Sequence, residues 1–285
     1  VSINLCADQL VVELAQRRHI ASVSNVALDP TVSNVVARAR GLVTNSGRLE
    51  EIVRLKPDLV VSTRHRESRM NTLLRRFGVA VMELPAVDSI AEAYQLVREL
   101  ASRLGEAERG ARLIAEMQAG FAAVADQRPV RQLVAEPGAT PVSEAVLAVV
   151  YRPNGYTSGR QTFVHDVMVQ AGLSNLAAQR GIERWGTIPL EVLMYAQPAI
   201  VVLDDSVGAR TSLAHRSLGH PALRMLRPRW HTLSFPSRLW VCPGPWLVQA
   251  AEYLLAARQQ LSSRRVAAPD VGAPTSNRHA VQTGR

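Results

Sequence analysis

Lysine is almost absent from this chain. Lys56 is the only one, and it sits in Leu-Lys-Pro rather than Gly-Lys-Ser/Thr, which excludes a phosphate-cradling P-loop. Cysteine is scarce as well. Cys6 and Cys242 alone exclude a disulfide-rich scaffold and any four-cysteine metal site. Aromatics make up 5% of the residues, and no nucleic-acid motif accompanies them, so nucleic acid is not expected as a partner. No run approaches the ~18 consecutive apolar residues that a transmembrane helix needs. The histidines show no His-Glu-x-x-His or other ligand spacing, so no side chain is expected to bind a metal directly. No signal-peptide pattern opens the chain, because Val-Ser-Ile-Asn-Leu already reads as a strand; the expectation is a leader removed or a late start.

What is present is ample core. The 285 residues are 47% apolar, enough for one or two domains. The formal charge is +9, and part of it belongs to Arg264, Arg265, Arg278 and Arg285 near the C-terminus. A basic body suits an acidic small ligand or an anionic surface.

Short apolar runs alternate with helical patterns. Strands are expected at Val1–Leu5, Ile20–Asn25, Leu59–Ser62 and Val79–Glu83, with helices at Ala7–Gln16 and Arg69–Phe77. This βαβ alternation points to α/β lobes with mainly parallel sheets. A helix capped by Asp88-Ser89 runs to Leu104, and Gly105 interrupts it. Glu106 to about Gln127 then forms a helix roughly 33 Å long, either a core helix or a strut between lobes. The alternation resumes with strands at Ala145–Tyr151, Ile200–Asp204 and Arg238–Cys242, and helices at Thr162–Ala171, Leu190–Ala196 and Trp246–Leu261. Polar residues 262–285 are expected to be disordered.

An internal repeat bears on the architecture. Leu49-Glu50-Glu51-Ile52 through Pro57-Asp58-Leu59-Val60-Val61 matches Leu190-Glu191-Val192-Leu193 through Pro198-Ala199-Ile200-Val201-Val202 at a constant offset of 141. Helix, Pro break and strand make a common αβ corner, but the paired glutamates favour duplication. Two similar lobes would place a ligand cleft between them.

Several segments occur in a telling order. They are Asn4-Leu5-Cys6-Ala7-Asp8-Gln9, the Leu-Glu-x-Ile…Lys-Pro-Asp-Leu-Val-Val stretch, Asn154-Gly155-Tyr156-Thr157-Ser158-Gly159, Trp185-Gly186…Pro189-Leu190-Glu191, His220-Pro221-Ala222-Leu223 and Leu239-Trp240-Val241-Cys242-Pro243-Gly244-Pro245-Trp246. The sequence so resembles the periplasmic substrate-binding proteins of ABC importers for iron–siderophore complexes and cobalamin, over about residues 1–260. The resemblance implies two Rossmann-like lobes, here 1–105 and 129–261, joined by one long rigid helix over 106–128, with the cleft between. It implies a periplasmic binding protein, not an enzyme and expected as a monomer, with no cofactor of its own. Its cargo would be a ferric siderophore-type iron chelate, or alternatively cobalamin, another corrinoid or haem, delivered to a dimeric ABC permease in the inner membrane. Two readings from other classes remain: an α/β enzyme using a cleft cysteine, and a ligand-independent interaction protein.

The family uses one surface glutamate per lobe to dock on permease arginines, which implies that role for Glu50 and Glu191; a helix N-terminus would also favour a glutamate there. Cys6 and Cys242, one per lobe at expected strand ends, either pair as a disulfide or pack as small buried residues. Arg64, His65 and Arg66 follow a strand, where ligand loops lie, and are either anion grips or a solvated basic loop. Tyr156 and Thr157 occupy a tight loop after a strand; Tyr156 stacks on a ligand or is half-buried, and Thr157 is a loop hydroxyl or cap. Trp185 in a Gly-flanked loop is a candidate cleft wall. Trp246 is another candidate, whereas Trp240 reads as core. Arg210, beside Asp204-Asp205, and Asp8 and Gln9, opening the first helix, complete the candidate ligand set.

Overall fold

The computed structural model describes residues 1–64, 69–128, 145–204 and 230–267. In the first lobe β1 (Val23–Ser24) pairs parallel with β2 (Thr44–Asn45), and β3 (Val60–Thr63) pairs parallel with β4 (Val81–Leu84). The first residues fill the gap: Ser2 bridges Val61, the Ser2 N–H donates to Ser22 O, and the Ile3 N–H donates to Val61 O. The expected strand Val1–Leu5 shrinks to this bridge because Asn4 is a helix cap. Its side chain accepts the Ala7 N–H and starts α1 at Leu5–Leu14, a stop worth about 1 kcal/mol. The expected strand Ile20–Asn25 also shortens to β1, pinched between 3-10 turns at Arg17–His19 and Asn25–Leu28. Short α2 (Val36–Ala39), α3 (Leu49–Arg54) and α4 (Arg69–Arg76) complete this lobe.

Ser89 caps α5 (Ile90–Arg103) by accepting the Glu92 N–H. Gly105, at φ +73°, turns the chain into α6 (Ala107–Asp126), whose 20 residues span about 30 Å. The second lobe is a four-stranded parallel sheet in the order β10 (His231–Phe235), β9 (Ile200–Asp204), β5 (Val146–Tyr151) and β7 (Leu173–Asn175). A separate antiparallel pair joins β6 (Tyr156–Ser158) to β8 (Trp185–Thr187). Helices α7 (Phe163–Gln170), α8 (Leu176–Gln179), α9 (Leu190–Ala196) and α10 (Trp246–Ala267) follow in order. The expected strand Arg238–Cys242 is instead a 3-10 turn at Ser237–Leu239 and an irregular loop, because Pro236 ends β10 just before it. Helix α10 also continues past Leu261, into the segment expected to be disordered.

The duplication is visible in the backbone. Lys56 and Gln197, 141 positions apart, both close a helix in the left-handed region, at φ 46° and 45°. Among the described residues, only Asn154 shares that sign without being glycine. Each is followed by Pro and a buried parallel strand, and Ile52 and Leu193 point inward with no exposure from matching positions.

Both lobes share one apolar core. It includes Leu10 and Leu14 of α1, Leu100 of α5, Phe121 of α6, Met168 of α7 and Leu254 of α10. Four polar or covalent ties reinforce it. Cys6 and Cys242 form a disulfide with Cα atoms 5.3 Å apart. Asn34 Nδ2 donates to Arg238 O at 2.6 Å, the Ile90 N–H donates to Asp166 Oδ2 at 2.9 Å, and Arg184 pairs with Asp88.

The bond closes a loop with a sequence separation of 236 residues, so its removal releases much unfolded-chain entropy. Replacing both cysteines by alanine is expected to cost about 3–5 kcal/mol, read as a lower urea midpoint with a steeper slope, because the unfolded chain without the bond exposes more surface. An unchanged midpoint would assign the lobe junction to the apolar core alone.

Candidate functional site

In parallel sheets ligand loops leave the C-terminal strand ends. In this chain those ends converge. Cys6 follows the residues 1–3 segment in the first lobe, Cys242 follows β10 in the second, and the disulfide joins them. Arg64 leaves β3 on the same edge of its sheet, its side chain exposed and its N–H donating to Leu84 O. Across the junction, the loop leaving β5 carries Arg152 to Ser158.

That loop builds an aromatic platform. Tyr156 and Trp185 lie on paired strands β6 and β8, with ring centroids 5.8 Å apart and planes within 6° of parallel. Both rings are about half exposed, 42% and 47%. The Arg152 guanidinium lies 5.8 Å from the Trp185 ring centroid and 5.9 Å from that of Trp240, and its Nη1 donates to Ser158 Oγ. Buried Trp240 stacks on Phe235 at 3.7 Å, two residues from Cys242. A continuous run thus leads from the exposed rings, through a cation, to the disulfide. Cation–π contacts of this kind stabilise by about 0.5–2 kcal/mol each and fix the ring planes.

Glycine makes the platform possible. A Cβ on Gly155, which sits at φ +74°, would come within 2.4 Å of Ile188 O, and one on Gly159 within 2.1 Å of Ile182 O. Only glycine lets the β5–β6 turn press against the strand that carries Trp185.

Other candidates are drawn inward. The Thr157 hydroxyl is buried and donates to Val150 O at 2.6 Å. Asp8 is buried beneath α1, where its carboxylate accepts the Ser2 hydroxyl at 2.5 Å, the Ser24 N–H at 2.9 Å and the Ser24 hydroxyl. Gln9 is buried too, its Oε1 accepting from Asn34 N and Nδ2. Trp246 is 3% exposed, and its indole N–H donates to Cys242 O. All four side chains are buried and hydrogen-bonded within the protein. His65, Arg66 and Arg210 lie outside the described residues, as do the His220-Pro221 segment and residues 129–144. The expected Gly-flanked loop at Trp185 is a strand.

Arg152 and the stacking role of Trp240 were missed from the sequence. An arginine directly before Pro153, at the C-terminal end of a parallel strand, was the available signal. Glu50 and Glu191 are exposed in the first turns of α3 and α9. Among the described residues no group of three His, Cys, Asp or Glu could hold a metal ion, and no helix is long and apolar enough to cross a membrane.

Comparison with known proteins gives a consistent picture. The model of a family described as "Periplasmic binding protein" matches residues 1–219. Cobalamin-binding proteins from two strains of Halobacterium salinarum are 29% identical over 212 residues, covering 72% of this chain and 53% of theirs. The chain thus spans about half the length of these curated relatives. A structure titled a possible iron-binding, periplasmic solute-binding protein from Staphylococcus epidermidis aligns with TM-score 0.68 at 17% identity, covering 92% of this chain and 97% of that one. The apo periplasmic haem-binding protein RhuT from Roseiflexus sp. RS-1 aligns with TM-score 0.65 at 22% identity, covering 90% and 97%. At these identities the likeness is one of fold.

Asp8 gives the packing of α1 a pH signature. Burial raises its pKa above the ordinary carboxylate value, against the lowering pull of the Ser2 and Ser24 hydrogen bonds. The native state therefore holds this proton to a higher pH than the unfolded chain. Its contribution is full below the unfolded value and is lost as pH rises through the folded one. Asp8→Asn should thus lose most relative to wild type near pH 4 and less as pH rises above about 4. Urea unfolding across that range checks it, and a deficit that widens with pH would contradict the assignment.

Proposed function

Since the chain belongs to the periplasmic binding protein family, whose members are binding proteins rather than enzymes, we propose that it is the substrate-binding component of an ABC importer. It captures a metal chelate in the cleft between its lobes and hands it to a membrane permease. The observation that carries this reading is the parallel, half-exposed Tyr156–Trp185 pair steadied by Arg152 at the lobe junction. Two parallel, stacked rings, each about half exposed, offer apolar surface, which suits a ligand with a conjugated or aromatic face of its own. Arg152 and Arg64 supply guanidiniums for carboxylate, catecholate or hydroxamate oxygens at its rim. Glu50 and Glu191 face solvent one per lobe, spaced by the repeat, as two-point docking on the permease requires.

A ferric siderophore-type chelate fits this combination of anionic oxygens and aromatic rings. A corrinoid or haem is the second reading. What favours it is the name borne by the Halobacterium relatives. The lobes move little in either case, because four ties and a shared core join them.

Tryptophan fluorescence separates the cargoes. Titration with ferric hydroxamate, ferric catecholate, ferric citrate, cobalamin and haem, corrected with free tryptophan, should give saturable quenching by one of them. Trp185→Ala should weaken that binding about tenfold or more, since stacked aromatics dominate such contacts. Absence of a saturable response to every compound, or an unaltered affinity in the variant, would count against the reading.

A further inference from the structure

The duplication supplies an internal control for the surface that meets the permease. Helices α3 and α9 are the same structural unit twice. Buried Ile52 matches Leu193, exposed Glu50 matches Glu191, and the left-handed closures at Lys56 and Gln197 match in φ. Their exposed faces nevertheless differ. One helical turn after Glu50 stands Arg54, whereas one turn after Glu191 stands Tyr195. Beside these, Val53 is half-buried and Met194 is 40% exposed. Tyr195 is 84% exposed, the highest value among the large apolar side chains of the described residues.

We propose that Tyr195, with Met194, is the apolar anchor of the permease contact, so that the second lobe holds the transporter tightly and the first lobe only steers. This rests on the docking role of Glu50 and Glu191. The occupant is a permease surface with a basic side chain for Glu191 and an apolar recess beside it. The argument is continuity and charge: Glu191, Met194 and Tyr195 occupy positions i, i+3 and i+4 of one short helix and form one patch, negative at one end and apolar at the other. Tyrosine fits the task because its ring buries a large area at small entropic cost while its hydroxyl stays hydrogen-bonded. The first-lobe face cannot match it. Arg54 sets a positive charge beside Glu50, which weakens any attraction to a basic partner, and Val53 is partly withdrawn. Glu51 next to it is already engaged, accepting the Ser46 N–H at 2.7 Å and the Ser46 hydroxyl.

The probe is the ABC permease whose ATPase the ligand-loaded chain stimulates, purified with its ATPase subunits in lipid nanodiscs. Binding is measured by surface plasmon resonance. Tyr195→Ser should weaken it about tenfold, mostly through faster dissociation, and Tyr195→Phe should retain most of it. Arg54→Ser should change it by less than about twofold. Urea midpoint and ligand affinity should stay at wild-type values in all three, since these side chains lie on the surface. If the Glu50→Gln, Glu191→Gln double variant weakens binding while Tyr195→Ser does not, the anchor is overturned and the docking reading stands. If the double variant binds like wild type, or no permease responds to the wild-type chain, both fall.

Discussion

The site depends on the C-terminal edges of two separate parallel sheets being held together. A parallel sheet gathers its loops at one edge, and one edge alone makes only a shallow surface. Here the first turn of α1 and the loop before α10 are joined covalently through Cys6 and Cys242. Around that bond the packing is polar and specific. Trp246 donates to the carbonyl of Cys242, Asn34 reaches across to Arg238, and Asp8 fastens α1 to Ser2 and Ser24. Behind it, α6 and α10 pack within a core common to both lobes. Preorganisation of this kind would lower the entropic cost of binding at the proposed cleft.

Much of the architecture was legible in the residues because periodicity and punctuation agree there. Leu190–Ala196 and Ile200–Asp204 fall where the apolar pattern and Pro198 put them. The boundaries of α5 follow from Ser89 and Gly105. The repeat was legible because a left-handed closure followed by Pro leaves a recognisable residue pattern, and the φ values of Lys56 and Gln197 are its physical content. The strands that were misread are those where a local cap outweighs β-propensity. Asn4 takes Leu5 into a helix, and Pro236 stops β10 short of a stretch, Arg238–Cys242, that looks apolar enough to continue it. Burial of Trp240 was readable from its neighbours, but its stacking on Phe235 was not, because that contact needs the turn at Ser237–Leu239.

The candidate site was legible in part for a related reason. Sequence order shows which residues follow strands, hence Arg64, Tyr156 and Trp185. It does not show which polar side chains in the same loops are consumed by the fold. Asp8 and Thr157 have the chemistry of ligand contacts, yet each meets a partner inside its lobe, where an unpaired polar group would be costly; Gln9 is paired only at its oxygen, and its buried Nε2 has no partner. Arg152 shows the converse. An arginine in a tight turn reads as surface charge until Trp185 and Trp240 are seen within 6 Å of it.

The distribution of tryptophan supports the ligand-facing role proposed for the ring pair. The chain has four, and Trp230, Trp240 and Trp246 are each at most 6% exposed. Indole is the side chain with most to gain from burial, so leaving Trp185 at 47% forgoes roughly 1–2 kcal/mol that the core could have used. Tyr156 beside it, smaller and 42% exposed, forgoes a lesser amount. Both rings nonetheless sit on paired strands, and Arg152 flanks that of Trp185. A surface that was merely tolerated would be free to collapse inward or to move. On the proposed function this pair, exposed yet seated on paired strands, gives its forgone burial to a ligand face instead of to ordering the rings.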